Sequence, residues 1–326
     1  MTKASIIITT HSRPLLLPRA VESARAAGAD VEIVVVDDAS TDETAEVCEN
    51  LADIKYVRVE HNQRVAGARN VGIVVSRGEY LSFLDDDDTR LPDSLDRQID
   101  LLEQAPDAGL IYGQAIVKSG EQPDRSCPLE CPQGDIFWNL LTGNFIPCGS
   151  VVFRRSCLSR VGLLDERIPG SDDWDFWVRI AELYPVIAIE TPVMTWRQSN
   201  PGSRQGSSDT VDLIAQSRKW FREHWLKLPR LSNAPRPKRR AAWLEFSNNV
   251  AEHLVWETFS GLGKGDIRHA GKSAKTALAL HPKSILGVLR RWTNTSTLAT
   301  LLAARRSDHD MASAKAHFKR IRSSRS

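Results

Sequence analysis

An α/β domain with a mostly parallel sheet and helices on both faces, followed by a helical carboxy-terminal region, is the fold predicted by this 326-residue sequence. Three observations carry the prediction. Short apolar β runs alternate with helical patterns over the first 120 residues, which is the sequence form of βαβ units. Polar clusters follow directly on three of those runs, and from Asp209 onward the periodicity is helical almost without interruption.

Ser5–Thr9 is the first strand and Pro14–Ala27 the first helix. Val31–Val36 is the next strand and Asp42–Leu51 the next helix, for which Ser40 or Thr41 can serve as cap. Lys55–Val59 reads as a third strand, Ala66–Ser76 as a helix, Tyr80–Leu84 as a fourth strand, and Leu91–Gln104 as a helix with Pro92 in its first turn. Gly109–Val117 is one more apolar strand. Lys118–Gln133, rich in Gly, Pro, Ser and charge, reads as a loop. Ser150–Phe153 and Val186–Ile189 are strands on either side of an amphipathic helix, Asp173–Leu183, and Ser199–Ser208 has the composition of a loop. The helical remainder breaks near Pro229–Pro237 and at Gly261–Gly265. The expected domains are 1–205, divided at 117/118, and 206–326.

Composition narrows the function. A 41% hydrophobic content fits a globular chain rather than a disordered one. The longest apolar runs, Ile6–Ile8 and Ile33–Val36, fall far short of the roughly 20 residues of a spanning helix. No secretory signal is visible, and five cysteines are too sparse for a disulfide framework, so a reducing cytoplasm is expected. Cys127 and Cys131 lack a second ligand pair at zinc spacing, and Cys48, Cys148 and Cys157 read as small core residues. The net charge of +2 argues against a nucleic-acid-binding protein, but it is unevenly distributed. Residues 281–326 hold ten Lys or Arg and two Asp, leaving an acidic body of net charge −6 and a tail of +8. That tail reads as a solvated end or, through Ile285, Leu286, Leu289, Trp292, Leu301 and Leu302, as a helix lying on an anionic membrane.

The chemistry is concentrated at strand ends. Thr9-Thr10-His11-Ser12-Arg13, Asp37-Asp38-Ala39-Ser40 and Asp85-Asp86-Asp87-Asp88 each follow a buried strand, and in an open parallel sheet those ends share one edge, where ligands bind. Four consecutive aspartates repel one another unless a cation compensates, and a hard dication, Mg²⁺ or Mn²⁺, suits carboxylate oxygens, with Asp87 the first candidate ligand. Neither G-x-x-x-x-G-K-S/T nor G-x-G-x-x-G after the first strand is present, so a P-loop kinase and a dinucleotide dehydrogenase lose support. Arg69 is the candidate cation for phosphate. Ser171-Asp172-Asp173-Trp174-Asp175-Phe176-Trp177 offers a helix cap at Ser171 or Asp172. Trp174 and Trp177, three residues apart on one face, can surround a carboxylate and raise its pKa.

The order S-I-I-I-T-T-H-S-R-P, V-V-V-D-D-A-S-T-D-E-T, A-R-N-V-G, Y-L-S-F-L-D-D-D-D and S-D-D-W-D-F-W-V-R resembles the GT-A glycosyltransferases of the large inverting family 2, from about Ala4 to about Ser203. The resemblance implies a nucleotide-binding half in 1–117 and an acceptor half in 118–205. It implies that Thr10, His11 and Arg13 line the nucleotide pocket and that Asp38 bonds the base. Arg69 would approach the diphosphate, Asp85 and Asp86 would belong to the aspartate motif with Asp86 at the ribose, and Asp87 would bind Mn²⁺ or Mg²⁺. Asp173 stands where the family keeps its catalytic base. The implied reaction is an in-line, inverting displacement on a nucleotide-diphosphate sugar, expected to be a UDP-sugar. The acceptor would be a glycan or lipid-linked hydroxyl in polysaccharide synthesis, at a cytoplasmic site or the inner face of a membrane.

The chain also departs from the family pattern. Arg64 stands where many relatives have Gly, so the loop is expected to bend differently. His11 replaces a frequent Tyr, and Trp196-Arg197-Gln198-Ser199 lacks the histidine of Y-R-x-H. Two other classes stay open: a metal-dependent nucleotidyltransferase, for which T-T-H-S-R-P offers only Arg13 toward a triphosphate, and a non-catalytic sugar- or partner-binding relative, against which Asp87 and Asp173 speak.

Overall fold

A computed structural model describes residues 2–118, 123–168, 170–197 and 210–280. The chain divides into two compact units, Met1–Ser208 and Asp209–Ser326.

The first unit opens with β1 (Ala4–Thr10), α1 (Leu17–Ala26), β2 (Val31–Asp37), α2 (Thr44–Glu49), β3 (Ile54–Arg58), α3 (Arg64–Val75) and β4 (Tyr80–Asp85). It continues through β5 (Thr89–Arg90), α4 (Ser94–Glu103), β6 (Leu110–Lys118), β7 (Arg125–Cys127), α5 (Phe137–Leu140), β8 (Val151–Arg154), α6 (Leu158–Val161), α7 (Asp172–Leu183) and β9 (Val186–Arg197). The strands form one sheet in the order β3-β2-β1-β4-β8-β6-β9-β5, with β7 added on β6. β3-β2-β1-β4 are parallel throughout, β6 and β9 are parallel, and the ladders of β8, β7 and β5 are antiparallel.

The continuous apolar runs mark strands covered on both faces. Ile6, Ile8, Ile33 and Val35 pack with Leu17, Ala20 and Val21 of α1 and with Leu95, Ile99 and Leu102 of α4. Ile7 faces the other way, toward α3, where a Cβ on Gly72 would lie 2.2 Å from Ile7 Cγ2. Gly72→Ala is therefore expected to lower the stability of this unit by about 1–3 kcal/mol through overpacking, read as a lower urea midpoint with unchanged slope.

β4 and β8 share only two register pairs, Tyr80–Arg154 and Leu81–Phe153, against seven between β1 and β2. An aromatic cluster spans that short ladder. Phe83 of β4 and Phe153 of β8 lie with ring centroids 5.5 Å apart, and Phe176 and Trp177 of α7 pack on both rings at 5.3–6.5 Å.

Several boundaries differ from expectation, for local reasons. The first helix begins at Leu17, past Pro14, with Pro18 in its first turn, and Pro92 precedes α4, which starts after Asp93 at φ 55°. Neither Ser40 nor Thr41 caps α2. Ser40 Oγ accepts the N–H of Ser12, and Asp42 Oδ1 accepts that of Thr44. The last strand runs beyond Ile189 to Arg197 because a register shift opposite Gln114 accommodates Pro192, which has no N–H for the ladder. The expected 118–133 loop contains β7.

The second unit comprises α8 (Thr210–Glu223), α9 (Pro229–Ser232), α10 (Arg236–Lys264) and α11 (Ile267–Leu280). Val211, Leu254 and Ala277 form its core with Ile214 and Val250, beside a cluster of Phe221, Trp225, Trp243 and Phe246. The helical pattern breaks inside the expected Gly261–Gly265 stretch, at Gly265, which ends α10 at φ 78°. Gly261, within the last turns of α10, lets α11 approach: a Cβ there would stand 3.0 Å from the nitrogen of Ala270. No described helix is long and apolar enough to cross a membrane. The Ser199–Ser208 loop and the basic tail 281–326 lie outside the described residues.

Candidate active site

Register aligns the polar strand ends. Asp37 pairs with Thr10, and Asp85 with Thr9, so the clusters after β1, β2 and β4 occupy one edge of the parallel half. The backbone there is strained. Ser12, Ala39 and Arg64 hold φ of 54°, 60° and 60°, a left-handed conformation that costs a side-chain-bearing residue about 1–2 kcal/mol and that collects at functional sites. Arg64 thus takes a conformation that glycine enters freely instead of turning the loop elsewhere, and its N–H donates to Asn62 Oδ1 at 3.1 Å.

Asp38 is buried, and its Oδ1 accepts the N–H of Gln63 at 2.6 Å. Burial pushes its pKa up, with the backbone hydrogen bond opposing. The exposed His11 places Nδ1 2.7 Å from the carbonyl of Asp38, so Nδ1–H donates there and the ring is held at the edge.

The four-aspartate turn is neutralised from several elements at once. Asp85 Oδ1 accepts from Arg69 Nη2 at 2.8 Å. Asp86 accepts from Thr10 Oγ1 and from Arg13 Nη1, each at 2.8 Å. Asp87 Oδ2 lies 3.2 Å from the same Arg13 nitrogen, and the Asp87 carbonyl accepts from Arg19 Nη2 at 2.8 Å. Asp88 accepts the N–H of Arg197 at 2.8 Å. The Asp85 side chain is 42% exposed, against 4% and 6% for Asp86 and Asp87, so Asp85 presents the most open carboxylate of these three. Burial pushes Asp86 up to about 6 and, with Asp85 adding repulsion, Asp88 up to about 9.

Arg69 is buried on α3 and joins the two halves of the site. Nη1 donates to Asp172 at 2.9 Å, Nη2 to Asp85, and the guanidinium carbon lies 5.3 Å from the centroid of Phe83. Both terminal nitrogens are thus engaged by carboxylates. Ser171 stands at the N-cap of α7 without a side-chain cap bond, and the Asp172 carboxylate turns to Arg69 instead of capping. Asp173 is partly exposed. Its Oδ1 accepts the N–H of Trp174 at 2.7 Å, and Asn144 Nδ2 stands 3.5 Å from Oδ2. Its pKa is pushed up to about 7, first by desolvation and next by Asp172, with Arg69 pulling down. The two tryptophans serve α7: Trp174 Nε1 donates to the carbonyl of Leu140, and Trp177 lies in the aromatic cluster.

Cys148, expected in the core, is half-buried and lies within the field of Arg69, Asp173, Asp85 and Asp172, with desolvation of its thiol pushing the pKa up. No pattern in the sequence marked it. Of the Trp196–Ser199 stretch, Arg197 touches the site through its N–H, while Gln198 and Ser199 lie outside the described residues. Among the described residues no three His, Cys, Asp or Glu groups converge on a metal position.

A βαβ half with an aspartate run at its strand ends, joined by a buried arginine to the start of a helix that carries two further carboxylates, has the layout of a GT-A-type fold. Residues 5–160 match the sequence profile of Glycosyl transferase family 2. An uncharacterized glycosyltransferase of Haemophilus influenzae is 26% identical over 230 residues, 68% of this chain and 77% of the relative. The succinoglycan biosynthesis protein ExoO of Rhizobium meliloti is 36% identical over 104 residues, 31% of this chain and 30% of ExoO. Other curated relatives at 30% identity are matched over about a third to a half of their length. The crystal structure of S. aureus TarS 1-349 in complex with UDP-GlcNAc shares the fold at a TM-score of 0.61 and 15% identity, covering 94% of this chain and 92% of that one.

Proposed function

We propose that the chain transfers a glycosyl group from a nucleotide-diphosphate sugar to an acceptor hydroxyl, with inversion at the anomeric carbon. The observation that carries this reading is Asp173, a carboxylate raised to about 7 at the start of α7, beside the Arg69 bridge to Asp85. The TarS structure holds UDP-GlcNAc, which favours a UDP-sugar as donor, and ExoO is named for polysaccharide synthesis, which favours a glycan or lipid-linked acceptor.

In this reading Asp173 takes the proton of the acceptor hydroxyl as its oxygen attacks the anomeric carbon, and the bond to the diphosphate breaks on the opposite side. His11 and Asp38 hold the base. Thr10 and Arg13 orient Asp86 toward the ribose, while the positive charge of Arg69 stabilises the leaving diphosphate. A base near 7 is half ionised at neutral pH. The transfer rate is therefore expected to rise with pH through about 7 and level off above it; a rate flat from pH 6 to 8 removes Asp173 from the role.

The donor set suits Mn²⁺ or Mg²⁺. It is made of hard carboxylate oxygens, and an ion of this kind is held by one or two carboxylates with diphosphate and water completing the shell. Asp87 would hold the ion, with Asp85 alongside, and the ion would act as a Lewis acid on the leaving group. Asp87→Ala is expected to abolish Mn²⁺ binding in the presence of UDP; an unchanged calorimetric titration rejects Asp87 as ligand.

A further inference from the structure

A single guanidinium nitrogen, Arg13 Nη1, lies between two buried carboxylates, 2.8 Å from Asp86 Oδ1 and 3.2 Å from Asp87 Oδ2. That is where one positive charge offsets two negative ones, as a bound cation does. The two contacts are unequal. Asp86 is held on both oxygens, by Thr10 and by Arg13, whereas the longer contact reaches Asp87. Arg13 reaches this turn from the loop after β1, so the neutralising charge belongs to the nucleotide half itself.

We propose that Arg13 is a displaceable internal counter-ion of the aspartate turn: it competes with a divalent cation for Asp87, gives up that contact when the cation binds, and stays on Asp86. The proposal rests on the reading of Asp87 as the metal ligand. Coulombic competition at one carboxylate requires that loss of the Arg13 charge strengthen cation binding there. It also requires that the turn without cation depend on Arg13, because Asp86 loses the charged partner of one of its two oxygens and keeps the Thr10 hydroxyl on the other. Arg19 offers an internal comparison. It carries the same charge and donates to the backbone carbonyl of Asp87, not to the carboxylate.

The test uses the full chain, with Mn²⁺ as the probe and no nucleotide, read by calorimetry and by thermal melting. Arg13→Gln is expected to bind Mn²⁺ about tenfold tighter or more, the scale of one charge-assisted contact removed from competition. Arg13→Lys and Arg19→Gln are expected to stay close to the wild type. In melting, Arg13→Gln is expected to be less stable than the wild type in EDTA and to gain more from added Mn²⁺. Should Arg13→Gln be unfolded in EDTA, recovery of its fold with Mn²⁺ supports the proposal, and failure to recover overturns it. Equal or weaker Mn²⁺ binding by Arg13→Gln overturns it, as does an equal gain in Arg19→Gln, which would mean a general field effect. If neither protein binds Mn²⁺ even with UDP present, the metal reading of Asp87 falls too; if the wild type binds with UDP and Arg13→Gln binds no better, only the counter-ion role falls.

Discussion

Asp173→Asn is expected to lower kcat by about 10²- to 10⁴-fold, the usual contribution of a positioned general base, while the Kd for the UDP-sugar stays nearly unchanged. The substitution keeps the shape of the group at the start of α7 and its ability to accept the Trp174 N–H. In the proposed reaction it removes only the site that receives the acceptor proton. Loss of donor affinity in step with rate would show that Asp173 belongs to the donor pocket instead. The same variant carries a stability signature of opposite sign. Burial raises the carboxyl from 3.8 to about 7, so between those values the folded chain binds a proton that the unfolded chain releases. Stability from this group is present at acid pH and lost as pH rises through 7. Asp173→Asn should therefore be more stable than the wild type at pH 8 and equal to it near pH 4, as read from urea midpoints. An inactive variant that is more stable at alkaline pH distinguishes a strained catalytic carboxylate from a structural one.

Replacing Arg69 by Met is expected to cost the first unit about 3–5 kcal/mol, the penalty for removing one partner of a buried ion pair. Here one side chain serves two carboxylates on different elements, Asp172 of α7 and Asp85 of β4. Without it Asp172 is left buried and uncompensated, and the start of α7 loses its tie to the aspartate turn. Arg69→Lys keeps the charge and gives up the fork that reaches both carboxylates, so it should fold and show the chemical consequence. Arg69 pulls the Asp173 pKa down, and a less closely held charge should move the pH–rate profile to higher pH. A profile that stays in place in Arg69→Lys would separate Arg69 from the acid–base chemistry.

Much of the parallel βαβ half could be read from residues in order, because each βα unit closes locally and its strands are uninterrupted apolar runs. Ile6–Ile8 and Ile33–Val36 are buried on both faces and leave no other reading. The strand-end clusters were legible for the same reason: once β1, β2 and β4 are parallel neighbours, Thr10, Asp37 and Asp85 must share an edge. What eluded the sequence are pairings between distant residues that no period announces. Arg69 meets Asp172 across 103 positions, and Asp88 meets Arg197 across 109. Thr89–Arg90 is too short to signal a strand until β9 lies beside it. The small side chain of Cys148 read as core, yet its chain position sets it among the charges around Asp173. Trp174 and Trp177 had the spacing of a shared face, but one donates to Leu140 and the other joins the rings under α7.

Those rings also bear on motion. With only two register pairs joining β4 to β8, main-chain bonding is thin where the all-parallel part of the sheet meets the mixed part, and the packing of Phe83 and Phe153 against Phe176 and Trp177 holds that seam. Amide hydrogen exchange at Leu81, Phe153 and the middle of α7 should then share one opening free energy, below that of β1 and β2, as a single cooperative segment. Because Asp172 and Asp173 ride on the same helix, any fluctuation that parts the seam withdraws both from Arg69 and Asp85 together, and the lifetime of the assembled site becomes a property of four aromatic rings lying behind it.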